Sequence, residues 1–113
     1  MSDVGCVFTF EVDPRDDRET ERAMRAIFDA MAAEEFPTGD VKTYTVYRDP
    51  ENPGKWLMFE QFTGRGSDNH ASGPEMQSAG RELSSHFTAP FTRTILEPVF
   101  YAGCGTSIQQ RWP

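Results

Sequence analysis

The chain has 113 residues, with eighteen Asp and Glu against eleven scattered Lys and Arg, and a formal net charge of −7. This length fits one domain that buries roughly two-thirds of the surface its unfolded chain would expose. The acidic balance argues against nucleic-acid binding, which needs clustered basic residues, and the sequence has no run of roughly 18 apolar residues to span a membrane.

Val4 to Val12, VGCVFTFEV, is rich in β-branched and aromatic residues and predicts a first strand. Cys6, Phe8 and Phe10 share one face, and Val7 and Thr9 the other. Asp13 to Phe36 predicts a helix, with Asp13 as N-cap and Pro14 at the first helical position. Acidic residues crowd its first turns, where the helix dipole favours them. Met24, Ile27, Phe28 and Met31 recur at helical spacing and mark a core-facing stripe. The sequence PTGD then breaks the helix.

Val41 to Arg48, VKTYTVYR, predicts a second strand with Tyr44 and Tyr47 on opposite faces. Turn residues follow in DPENPG, and Lys55 to Phe62, KWLMFEQF, predicts a third strand completing a hairpin. A second helix is expected in two pieces. Ser67 or Asp68 caps a first turn that carries His70, and Gly73-Pro74 interrupts and restarts it. Met76, Ala79, Leu83 and Phe87 give the second piece its apolar face. Thr92 to Phe100 predicts a fourth strand, with Pro98 putting part of it at an edge or bulge. Residues 102–113 read as a polar C-terminal tail, and the domain core as about residues 4–101.

The order β-α-β-β-α-β predicts a ferredoxin-like α+β domain, a four-stranded antiparallel sheet with two helices on one face. The third strand then poses a problem. Trp56, Met58, Glu60 and Phe62 lie on one side, and Leu57 and Phe59 on the other, so both sides are apolar. Two helices cover one face only. Exposure of large apolar side chains forgoes about 1.5–3 kcal/mol each, so a second copy of the sheet is the simplest cover for Leu57 and Phe59, and a homodimer is expected.

Cys6 and Cys104 have no CxxC spacing, and with two histidines they make no metal-ligand set. They read as reduced thiols. The N-terminal sequence has no basic region or small-residue cleavage site of the signal-peptide type. The expected compartment is the cytoplasm.

The segment YTVYRDPENPGKWLMFEQF, followed by GSDNHASGPEMQSAGRELSSHF, resembles the antibiotic biosynthesis monooxygenase domain. The matching features are Tyr44 on its strand, the Arg48-Asp49-Pro50 hairpin, Glu60-Gln61-Phe62 at a strand end, and His70-Ala71-Ser72 ahead of a helix break. The resemblance implies a dimeric α+β barrel with a pocket between sheet and helices. It further implies cofactor-independent oxidation of a small aromatic or quinol-like substrate by O2. Phe62 stands where most relatives carry Trp, so an indole donor is missing there. The haem-degrading branch needs an Asn on the first strand, a Trp early in the second helix and a later axial His. This chain has neither that Asn nor that Trp, and Gly80 falls near the axial position, so no haem or metal is expected.

An oxygenase without a cofactor needs a substrate that can reduce oxygen once deprotonated, and a protein that supplies a base and an apolar pocket. His70 is the candidate base, because its reference pKa lies near neutrality. Glu60 is the candidate to hold or charge-stabilise the imidazole. Trp56, Met58 and Phe62 are the expected apolar wall. Tyr44 is assigned to the pocket as the hydroxyl donor, with Tyr47 the alternative. Both candidate catalytic groups also have architectural readings: His70 as a packing or capping residue, and Glu60 as an acceptor for backbone donors at the helix break. His86 reads as surface or edge packing. A non-catalytic small-ligand-binding barrel and an enediol isomerase are the alternative functions.

Overall fold

The N-terminal strand alternates as expected, and β1 (Val4–Glu11) turns Cys6 and Phe10 into the core. The structure is a computed structural model that describes residues 3–63, 70 and 72–100. Six elements follow in the order β1, α1 (Asp17–Glu34), β2 (Val41–Arg48), β3 (Lys55–Phe62), α2 (Pro74–Ser84) and β4 (Thr92–Leu96). The sheet order is β2-β3-β1-β4, with every pairing antiparallel. This is the ferredoxin-like α+β arrangement.

The first helix begins later than its cap suggests. Asp13 does cap, its Oδ1 accepting the Arg15 backbone N–H at 2.9 Å, but the turn it caps is a 3₁₀ turn, Pro14–Asp16. The α-helix proper starts at Asp17 and buries Ala23, Met24, Ile27, Ala30 and Met31. Phe28, at the border of the stripe, is 40% exposed and sets its ring edge-on against Tyr44. Pro37 lies in a second 3₁₀ turn, closed by Gly39 at φ 74°, a left-handed conformation that glycine adopts without steric cost.

The β2–β3 hairpin turn is organised by Asp49, whose carboxylate accepts from Glu51 N and Asn52 Nδ2, both at 2.9 Å. Gly54 has φ 91°, and a Cβ built there would lie 2.3 Å from Val12 O. Glycine therefore lets the hairpin close onto the end of β1, where Val12 N donates to Gly54 O at 2.8 Å.

Two differences from the sequence expectation concern ends. The fourth strand stops at Leu96 rather than Phe100, two residues before Pro98, which has no N–H to give to a ladder. The second helix starts at Pro74 with Gly73 as N-cap. The expected first piece, capped by Ser67 or Asp68, lies outside the described residues, as do Cys104 and the C-terminal tail.

The core lies between the sheet and the two helices. It is built from Phe10, Met24, Met31, Trp56, Met58 and Leu83 with their neighbours. Cys6, Val41 and Phe62 form a smaller cluster at one end. The opposite sheet face carries Val7, Leu57, Phe59, Tyr47 and Leu96, and among the described residues no helix or strand packs on it; Tyr47 is 56% exposed. Among the described residues, no helix is long and apolar enough to cross a membrane.

Candidate functional site

Glu60 sits at the middle of the sheet, opposite Cys6 on β1 and Tyr44 on β2. It is 4% exposed on the face that the helices cover. A carboxylate placed there needs partners, because unpaired burial of its charge is costly. His70 supplies one: Nε2 lies 3.4 Å from Glu60 Oε2. The imidazole also packs against the fully buried Phe62, with ring centroids 4.8 Å apart.

A third residue completes the cluster. His70 Nδ1–H donates to Glu35 Oε1 at 2.5 Å. Glu35 is the C-cap of α1 and is 8% exposed. Its charge hides it in the sequence, although Glu35 falls four residues after Met31 and so continues the apolar stripe of α1. The expected holder of the imidazole was Glu60. The short bond comes from Glu35 instead, and Glu60 faces the other ring nitrogen at longer range. Glu35 Oε2 is buried with no hydrogen-bond partner among the described residues.

The electrostatics follow from this geometry. Burial pushes the Glu60 pKa up, and Glu35 adds to the rise, while His70 and Arg93 oppose it. Burial works against a charged His70, but the hydrogen bond to Glu35 and the charges of Glu60 and Glu35 outweigh it, so the His70 pKa is raised above 6.5. A raised imidazole pKa means that the folded state holds a proton the unfolded state has released. The resulting stabilisation is complete below pH 6.5 and is lost as pH rises through the folded value. Glu60 acts in the same sense, from its ordinary 4.5 upward. Glu35→Gln is expected to lower the His70 pKa, read from the imidazole NMR shifts, and to flatten the fall of melting temperature above pH 6.5. An unchanged imidazole titration would count against the short bond.

Beside this cluster is a cavity of about 320 Å³ between sheet and helices. Its lining includes Phe8, Met58, Glu60, His70, Phe87 and Arg93. The volume is at the small end of the usual range for ligand pockets. The expected pocket wall divides here. Met58 lines the cavity, whereas Phe62 lies beneath His70 and is not among the lining residues. Trp56 and Tyr44 line a different recess, between α1 and β2. The Tyr44 hydroxyl donates to Met58 Sδ at 2.9 Å. Its pKa is pushed up by burial and then by Glu60 and Glu35, so it stays a neutral phenol. Trp56 stacks on Phe10 and lies under the Arg48 guanidinium, 4.7 Å from the ring centroid. Tyr47, the alternative hydroxyl, is on the opposite sheet face and lines a cleft there. His86 is partly buried in the turn that follows α2, 3.8 Å from Glu82 of that helix. Among the described residues, no group of His, Cys, Asp and Glu side chains is placed to hold a metal ion.

No protein-family model matches the chain, and no curated protein matches it. Solved structures do. A Caulobacter crescentus protein, described provisionally as an antibiotic biosynthesis monooxygenase, is 18% identical with a TM-score of 0.78, over 87% of this chain and 91% of the other. A Mycobacterium tuberculosis protein is 24% identical with a TM-score of 0.69, over 90% of this chain and all of the other (100%). A Chloroflexus aurantiacus protein with the same provisional description as the first is 20% identical with a TM-score of 0.69, over 92% of this chain and 100% of the other. At these identities the likeness shows the fold.

Proposed function

We propose that this protein is a cofactor-independent monooxygenase of the antibiotic biosynthesis monooxygenase type, acting on a small aromatic or quinol-like substrate in the cavity between sheet and helices. The observation that carries the reading is the His70–Glu60 pair at the wall of a mostly apolar cavity, with Glu35 behind the imidazole. The names given to structural neighbours support the same reaction class.

In this reading His70 Nε2 is the base. Glu35 fixes the ring through Nδ1, which leaves Nε2 to take a proton from the substrate, and the carboxylates on either side stabilise the imidazolium that forms. The substrate carbanion or enolate then reduces O2. For an anthrone-like methylene the balance is CH2 plus O2 giving C=O plus H2O: one oxygen atom enters the product and the other leaves as water. The apolar walls keep bulk water from the anion. We further propose a homodimer, with the sheet face of Leu57 and Phe59 packed on its copy.

The test is a screen of hydroquinones, anthrones and flavonoid-like aromatics with oxygen uptake as the readout. One class is expected to give stoichiometric O2 consumption that rises with pH along an inflection above 6.5, as His70 loses its proton. Tight binding of these compounds with no oxygen uptake would replace the monooxygenase reading with that of a binding protein. Conversion without oxygen would replace it with that of an isomerase.

A further inference from the structure

The cavity has a cation that the proposed chemistry has not used. Arg93 belongs to β4, the edge strand, and pairs with Phe8 on β1. Alternation along β4 puts Arg93 on the helix-side face with Phe8 and Cys6. Its side chain lines the cavity together with Glu60 and His70, although the residue as a whole is exposed. This combination describes a group at the cavity mouth.

Arg93 is only loosely engaged by the described residues. Among the described residues it forms no ion pair, unlike Arg15, Arg25 and Arg48. It engages the Cys6 thiol, and its charge reaches Glu60 and His70 only at a distance too long for an ion pair. A thiol is a weak acceptor, and a guanidinium presents five donors in a planar fork that fits a carboxylate. The rest of the cavity discourages an anion anywhere else, because Glu60 is itself a buried carboxylate and the chain carries a net charge of −7. Aromatic rings line the same cavity as the arginine. Phe91 stacks on Phe8 with centroids 4.9 Å apart, and Phe87 lies 6.3 Å from Phe8.

We propose that Arg93 is the specificity-determining residue of this cavity, and that its ligand is a planar aromatic carboxylate. The carboxylate sits on the guanidinium at the mouth, the ring system lies along Phe8, Phe87 and Phe91, and the opposite edge of the ligand reaches Glu60 and His70. This inference rests on reading the cavity as the substrate site. It adds the chemical class of the substrate and its orientation.

The experiment compares 1-hydroxy-2-naphthoate with 1-naphthol, by calorimetric titration of the full chain. The two share a ring system and a hydroxyl and differ by one carboxylate. The acid is expected to bind about tenfold tighter or more, the scale of a charge-assisted hydrogen bond. Arg93→Gln is expected to erase that preference while naphthol affinity stays within about twofold, and Arg93→Lys to restore part of it. Arg93 is exposed on an edge strand, so these variants are expected to keep their melting temperature, which serves as the folding control. Equal affinity for the two probes, no binding of either, or a preference that survives Arg93→Gln would overturn the proposal. Oxygen uptake measured on the same samples separates the two readings. A carboxylate preference that depends on Arg93, in a protein that consumes no oxygen, supports anion recognition and removes the monooxygenase.

Discussion

His70→Ala is expected to lower turnover about 10²–10⁴-fold, the share usually supplied by a positioned general base. The expectation follows from the two ring nitrogens being differently engaged. Nδ1 is held by Glu35 at 2.5 Å, and Nε2 stands 3.4 Å from Glu60, which lines the cavity. Glu60→Gln should cost less, because it removes a charge near the imidazolium but keeps the base. Both variants will also affect stability. Removing the imidazole leaves Glu35 and Glu60 buried together without a cation between them. Breaking a fully buried pair costs about 3–5 kcal/mol, and the effect here should be smaller, because Glu60 can take up a proton. Turnover must therefore be expressed per folded molecule, with melting temperature measured alongside. If His70→Ala lowers the melting temperature and leaves turnover per folded molecule intact, the histidine is a structural tie between helix and sheet.

Leu57→Glu is expected to convert a stable dimer into a monomer prone to aggregation. Leu57 pairs with Thr9 and Tyr47 on the sheet face that no helix of the described residues covers, beside Phe59 and Val7. In an isolated chain, a carboxylate at this half-buried position meets water and costs little. In a face-to-face sheet pair, it enters an apolar interface without a partner. The effect therefore reports on assembly more than on the fold of the single chain. Light scattering at micromolar concentration should give twice the chain mass for the wild type and the chain mass, or polydisperse aggregate, for the variant. A stable interface of this kind should bury more than about 1,000 Å² in total. A compact, stable wild-type monomer under these conditions would remove the dimer.

Much of the molecule was legible in the order of its residues. β2 and β3 have the bounds that their β-branched and aromatic runs predict, because a tight turn punctuates the chain between them. Strand alternation put Tyr44 and Tyr47 on opposite faces and put Glu60 on the same face as Trp56, Met58 and Phe62. In the structure Tyr44 and Glu60 are buried and Tyr47 is exposed. Helical spacing found the core face of α1 apart from the exposed Phe28, and that of α2 apart from Phe87, which lies past the helix end and bridges to Val12. These features are local, and a repeat of two or of 3.6 residues is enough to encode them.

Only the tertiary structure decided which of these residues meet. Glu35 and Arg93 are separated from Glu60 by 25 and 33 positions in the chain, and no local pattern links them to it. They converge because His70 joins Glu35 at the end of α1 to Glu60 on β3 and because β4 pairs with β1, bringing the edge strand to the same cavity. The same geometry separates Trp56 and Tyr44 from that cavity, although they share a sheet face with Met58. A sheet face is wide enough to hold two recesses under two helices, and helix placement across the sheet divides one from the other. Periodicity reports the side to which a residue points. Its neighbour there is set by strand order and helix packing, which are properties of the whole chain.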